Sequence, residues 1–230
     1  MARATIAQLR RVAIVDDSLK DADLMGELVR EAGLEPVIIK PPFGEIEQLV
    51  GQIRSDADGA VCDHRLRGMA HFSGAQAVAS LVQSAIPAIL VTQYIDIDAD
   101  VSIRRWRHQV PVLLSRDDAD PDRIKAGLED CVREIEGSYL PGRRPRRALI
   151  QIDGRSDESG EEVVEARIPS WNPNIVVRFP LSLIPENLQE KAVQGGFLFA
   201  MVNIGAETPE ELYFRDFEAA PDPEPEEGVA

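Results

Sequence analysis

The sequence predicts an α/β domain built on a doubly wound parallel sheet, followed by a small all-β domain. Between Arg11 and Glu136, short apolar runs alternate with amphipathic stretches of helical period. The runs are apolar almost throughout, as strands covered on both faces must be, and they end abruptly on polar residues. Beyond Ala148 the period changes to the two-residue alternation of half-buried strands.

Val12 to Val15 is the first strand, and Asp17 or Ser18 caps the helix that follows. Leu24, Met25, Leu28, Val29 and Ala32 recur at helical spacing from Leu19, and Gly33 ends the helix. Val37 to Ile39 forms the second strand. Lys40-Pro41-Pro42 forbids a helix until Gly44, after which Ile46, Leu49, Val50 and Ile53 mark one. Ala60 to Cys62 is the third strand and delivers Asp63. The loop Arg65 to Ser73 leads to a helix from Gly74 that carries Val78, Leu81 and Val82. Pro87 to Val91 is the fourth strand and ends at Thr92. Val101, Ile103 and Trp106 among arginines predict a helix over Asp98 to Arg107, and Val110 to Leu114 is the fifth strand. Asp120-Pro121 opens the last helix, whose apolar face is Ile124, Leu128, Cys131, Val132 and Ile135.

Strand tips are where open α/β sheets place their chemistry. Asp16, Asp17 and Asp63 all fall on such tips, and three acids on one sheet edge call for a cation; an all-oxygen site suits Mg²⁺. The net charge of -15 argues against a chain-wide nucleic-acid footprint. No apolar run approaches the roughly 20 residues that span a bilayer, and Met1 to Arg10 lacks an apolar signal core, so no membrane association and a cytoplasmic location are expected. Cys62 and Cys131 read as buried, reduced thiols.

Val12-Ala13-Ile14-Val15-Asp16-Asp17, Asp63, Gly74 and Thr92, in that order, resemble the receiver domain of two-component response regulators over roughly residues 11–136. The resemblance implies a flavodoxin-like sheet of order 2-1-3-4-5. It implies Asp63 as phospho-acceptor, Thr92 as the switch hydroxyl, and Mg²⁺ held by Asp16, Asp17, Asp63 and the backbone carbonyl of Arg65. It also implies a histidine kinase or phosphotransfer protein as partner. The chain departs from the family at Leu114-Ser115-Arg116-Asp117-Asp118, which has neither the usual lysine nor the proline after it; Arg116 is the substitute. The aromatic expected on the fifth strand is replaced by Val112, Leu113 and Leu114. His64 is read as structural, since no second histidine lies near it in sequence.

The expected organisation is an extension over 1–10, the receiver-like domain over 11–137, a Pro/Arg-rich linker over 138–147, a β domain over 148–218 and an acidic, disordered tail over 219–230. Ala148–Ile152, Val163–Ile168, Ile175–Phe179, Phe197–Ile204 and Leu212–Phe217 read as strands of a barrel or sandwich, with a helix over Pro185 to Val193. Trp171, Phe179, Phe197, Phe199, Tyr213 and Phe214 read as core. The leading expectation is a non-enzymatic signalling protein, phosphorylated on Asp63, whose β domain binds another protein. The alternatives are a nucleic-acid-binding regulator that uses Arg143 to Arg147, and a phosphate sink or docking adaptor. A second copy of the chain is a further candidate partner.

Overall fold

The computed structural model describes residues 9–95, 99–158 and 160–221. Residues 1–8 of the expected extension and residues 222–230 of the expected tail lie outside the described residues, while Ala219, expected in the tail, ends the last strand. The described residues form two five-stranded sheets.

The first sheet is wholly parallel. Its strands are β1 (Arg11–Val15), β2 (Glu35–Ile39), β3 (Gly59–Asp63), β4 (Ala88–Thr92) and β5 (Val112–Ser115), in spatial order β2-β1-β3-β4-β5. This is the predicted order. Its helices are α1 (Leu19–Glu31), α2 (Ile46–Asp56), α3 (Gly74–Gln83) and α4 (Pro121–Ile135). Alternation along the strands divides the core between two faces: Ala13, Val15, Cys62 and Leu90 pack with Leu49, Ile53 and Leu81 of α2 and α3. Val12, Ile14, Val61 and Ile89 pack with Met25, Val29, Ile124 and Leu128 of α1 and α4. Burial on both faces is why these strands read as continuous apolar runs.

Three of these helices, α1, α3 and α4, begin where a side chain caps them. Ser18 accepts the Asp21 N–H, Ser73 that of Gln76 and Asp120 that of Arg123. Cys62 and Cys131 are fully buried free thiols, and burial pushes Cys131 up to about 12 and raises Cys62 as well. Neither thiol is expected to react with an alkylating reagent at neutral pH until the domain unfolds. Rapid labelling of the folded chain, read by intact mass, would contradict this burial.

The connection between β4 and β5 differs from the predicted helix over Asp98 to Arg107. Residues 96–98 lie outside the described residues; the chain then makes a π-helical turn at Ala99–Ile103 and a 3-10 turn at Arg107–Gln109. Ile103 and Arg104 are adjacent and both fully buried, Ile103 against the sheet and Arg104 against the second domain.

The second sheet is antiparallel: β6 (Arg146–Glu158), β7 (Glu161–Ile168), β8 (Asn172–Pro180), β9 (Phe197–Val202) and β10 (Phe214–Ala219), in order β10-β9-β6-β7-β8. Strands lie about 4.8 Å apart, so the two edge strands of a flat sheet would be about 19 Å apart. Yet the rings of Phe179 on β8 and Phe214 on β10 are 4.6 Å apart, so the sheet rolls up around its core. Bulges between Ile152 and Gly154 and between Arg215 and Glu218 supply local bends. The predicted helix over Pro185 to Val193 shrinks to α5 (Glu186–Gln189), because the carbonyls of Gln189 and Ala192 turn to accept from the guanidinium of Arg155. The aromatics also differ from expectation in one respect. Leu198, Ala200 and Val202 take the inner face of β9, leaving Phe197 exposed and Phe199 beneath the Arg147 guanidinium at 3.6 Å.

Two of the arginines after residue 142, Arg143 and Arg147, are used structurally. Arg143 is buried and holds Glu134 of α4 with two hydrogen bonds, at 2.8 and 2.9 Å, while its carbonyl accepts from Tyr213. Arg147 pairs with Glu218. Among the described residues, no helix is long and apolar enough to cross a membrane.

Candidate functional site

The parallel sheet ends in a cleft of about 250 Å³ beyond the tips of β1, β3, β4 and β5. Asp16 and Asp17 follow β1, Asp63 ends β3, Thr92 ends β4 and Arg116 follows β5, and all five line the cleft with Arg65. The centre of this group is Arg116. Its Nη2 donates to Oδ2 of Asp16 at 2.7 Å and to Oδ1 of Asp63 at 2.6 Å. These are charge-assisted contacts of the short, strong kind.

The remaining acceptors are held by backbone. Asp16 Oδ1 accepts from Ser18 N at 2.9 Å, Asp63 Oδ2 from Arg65 N at 2.8 Å and Asp17 Oδ2 from Arg67 N at 3.2 Å. Thr92 is almost fully buried, and its hydroxyl oxygen accepts from Tyr94 N at 3.1 Å. That bond uses a lone pair and leaves the hydroxyl proton available to a group in the cleft. The Arg65 guanidinium lies 3.9 Å over the Tyr94 ring at the mouth.

Two glycine contacts explain how closely the elements converge. The amide of Gly74 donates to the His64 carbonyl at 2.9 Å, and a Cβ on Gly74 would lie 1.7 Å from the Asp63 carbonyl oxygen. The start of α3 therefore rests directly on the backbone that presents Asp63.

Burial raises the Asp63 carboxyl above its ordinary value; the hydrogen bond and charge of Arg116 oppose this, and the charge of Asp16 adds to it. Burial also works against the Arg116 charge, but Asp16 and Asp63 outweigh it and hold that guanidinium above its usual pKa. The sign for stability follows from the Asp63 shift. The folded chain holds this proton more tightly than the unfolded chain, so ionisation costs stability as pH rises from 3.8 through the raised folded value. Asp63→Asn removes that cost. Thermal melts are expected to show the wild type losing ground to Asp63→Asn as pH rises from about 4 toward neutrality; parallel profiles would contradict the assignment.

The donor set suits a hard divalent cation. All its side-chain donors are oxygens, and a carboxylate offers about four lone-pair positions, so Asp16, Asp17 and Asp63 keep acceptor capacity beyond their present bonds. Among the described residues no group of three or more His, Cys, Asp or Glu is gathered as a metal cluster, and the cation between Asp16 and Asp63 is Arg116. A bound ion would share those carboxylates with the guanidinium.

Three features of the site escaped the sequence reading. Tyr94 and Arg67 line the cleft from loops whose course no local pattern specifies. His64, read as structural, is buried with Nε2 2.8 Å from Ser102 Oγ, a partner that sequence separation concealed.

No protein-family model matches the chain, and no curated protein matches it with significance. Solved structures do. The receiver domain of Francisella response regulator 1452 shares 14% identity over 54% of this chain and 98% of its own, with a TM-score of 0.41. A response regulator receiver domain protein from Methanospirillum hungatei JF-1 shares 18% over 56% and 98%, at 0.42. A receiver domain protein from Clostridium thermocellum shares 12% over 56% and 98%, at 0.43. The matches span the N-terminal part, and the β domain is not recognised. On its own strand order, with the acids of β1 and β3 at one sheet edge, the first domain is a receiver-like doubly wound unit.

Proposed function

We propose that this chain is a response-regulator-type signalling protein of the cytoplasm, in which Asp63 accepts a phosphoryl group from a histidine kinase or phosphotransfer protein. The chain acts as an acceptor and not as an enzyme with turnover. The observation that carries this reading is the bridge of Arg116 between Asp63 and Asp16, in a cleft that also contains Thr92.

A carboxylate is a weak nucleophile, so positioning and charge neutralisation must lower the barrier. The Arg65 amide fixes one oxygen of Asp63, which aims the group. A carboxylate oxygen forms the new bond to phosphorus as the bond from phosphorus to the donor nitrogen breaks, and the electron pair leaves with the donor imidazole. Arg116 lies against Oδ1 and takes up negative charge on the transferred group, while the Thr92 hydroxyl donates its free proton to a phosphoryl oxygen. Asp16, Asp17, Asp63 and the Arg65 carbonyl would hold Mg²⁺, which when bound supplies further neutralisation of the phosphoryl oxygens.

Replacing Arg116 tests the proposal at its centre. Arg116→Ala is expected to slow phosphoryl gain from a small acyl phosphate by roughly a hundredfold, with Arg116→Lys retaining part of the rate because it keeps the charge without the planar fork. Unchanged rates in Arg116→Ala, followed by intact mass, would refute the role. Of the four arginines behind the nucleic-acid alternative, Arg143 is buried and Arg147 pairs with Glu218, which leaves Arg144 and Arg146 as the exposed cations of that stretch. The β domain is proposed to bind protein.

A further inference from the structure

A cleft of about 530 Å³ opens between the two domains and shares no lining residue with the cleft at Asp63. Small-molecule sites are typically of this size, roughly 300–1,000 Å³. Part of its lining is apolar: Val112 and Leu113 of β5, with Leu140 from the linker. The charged lining is two guanidinia, Arg107 and Arg143, and three carboxylates, Asp130 of α4 with Glu207 and Glu211 of the β domain. Among these Arg107 is out of balance. It is only 4% exposed, its Nη1 donates to the Val110 carbonyl beside its own turn, and its Nε is buried without a partner in the protein. Arg143, by contrast, has Glu134, and the nearby Arg104 has the carbonyls of Pro209 and Leu212. Among the described residues no carboxylate forms an ion pair with Arg107; burial and the charge of Arg143 push its pKa down, and Glu211 opposes this through charge alone.

We propose that this cleft binds a small aliphatic zwitterion, an α-amino acid, whose carboxylate pairs with Arg107 and whose ammonium meets Glu211. Nothing in this depends on phosphoryl transfer at Asp63. A buried guanidinium without a counter-charge is costly, and this one lines a cavity large enough for the missing anion. The rest of the lining selects which anion. Its three carboxylates would repel a phosphate dianion, whereas a ligand that brings its own cation satisfies both signs at once. Glu211 acts on Arg107 by charge yet forms no pair with it, so a carboxylate and an ammonium on neighbouring atoms can stand between them. Glu211 Oε2 accepts from the Glu207 amide at 2.9 Å and Asp130 Oδ1 from Arg133 at 2.7 Å, which leaves the second oxygen of each for the ammonium. Val112, Leu113 and Leu140 offer contact to an aliphatic side chain. The Glu211 side of the site is preformed: buried Asn203 donates from Nδ2 to the carbonyls of Gly142 and Glu211, at 3.1 and 3.0 Å, and a Cβ on Gly205 would lie 2.9 Å from the Pro141 carbonyl oxygen. The side chain of Arg107 carries little of the fold, since what Arg143 reaches is its backbone carbonyl, which any substitution keeps.

Isothermal titration calorimetry on the full chain tests the site, with L-valine, L-leucine, L-isoleucine, L-methionine and inorganic phosphate as probes. At least one of the amino acids is expected to bind, and phosphate to bind more weakly than it. The amide of that amino acid, which lacks the carboxylate, is expected to bind roughly thirtyfold or more weaker, and the acid without its amino group roughly fivefold weaker. Arg107→Met is expected to cost the amino acid roughly the same thirtyfold, while the ligand-free variant melts no lower than the wild type because no carboxylate is stranded. A second variant reads the other end of the ligand without touching Arg107. Glu211→Gln keeps an oxygen for the Glu207 amide and is expected to erase the preference for the amino acid over the acid without its amino group, a change in selectivity that loss of folding does not produce. No binding by any of the amino acids, tighter binding of phosphate, affinity unchanged in Arg107→Met, or selectivity unchanged in Glu211→Gln overturns the site.

Discussion

Gly74→Ala is expected to destabilise the first domain by at least about 3 kcal/mol, the upper end of the range for overpacking a close-packed site. The added Cβ would meet the Asp63 carbonyl oxygen at 1.7 Å, the Asp63 carbonyl carbon at 2.7 Å and the His64 Cα at 3.0 Å, all backbone atoms with no rotamer to yield. Relief requires α3 to retreat from β3, which breaks the Gly74-to-His64 hydrogen bond and shifts the acceptor strand. Phosphoryl acceptance should fall with stability. Gly51→Ala is the internal control. It lies exposed in α2 with open space around it, so alanine there should stabilise by about 0.5–1 kcal/mol through helix propensity. Urea denaturation separates the two, and equal effects would mean that α3 does not abut the acceptor strand as described.

Arg143→Ala is the second large effect, an expected loss of about 3–5 kcal/mol, typical of removing one partner from a buried ion pair. Glu134 would be left nearly buried without its guanidinium, and the contacts of Arg143 to the carbonyl of His108 would go too. Much of the cost is the stranded carboxylate. Arg143→Ala with Glu134→Ala should therefore be more stable than Arg143→Ala alone, in a double-mutant cycle read by denaturant midpoint. Arg133 on the same helix pairs with Asp130 at 48% side-chain exposure, and Arg133→Ala should cost under about 1 kcal/mol. A cost for Arg143→Ala as small as that would refute the buried pair.

The strands of the first domain were legible because a strand buried on both faces must be apolar throughout, and the residue after such a run must sit at the sheet edge. Asp16, Asp63 and Thr92 were therefore placed by the chain itself. Arg116 could be singled out by position, but its bridge between Asp16 and Asp63 depends on β5 standing two strands from β3, which no local pattern encodes. The interface between domains was hidden for a related reason. Arg104 and Arg143 look like surface cations in sequence, and what buries them is distant: the carbonyl of Leu212 lies 108 residues from Arg104. The π turn was misread as a helix because the apolar spacing of Val101, Ile103 and Trp106 carries no mark of the arginine buried among them.

The central claim is that Asp63 takes a phosphoryl group, and intact mass after incubation with Mg²⁺ and acetyl phosphate, in parallel with Asp63→Asn, tests it most directly. The account predicts a Mg²⁺-dependent gain of one phosphoryl group in the wild type and none in Asp63→Asn. No gain in the folded wild type, or an equal gain in the variant, would contradict it.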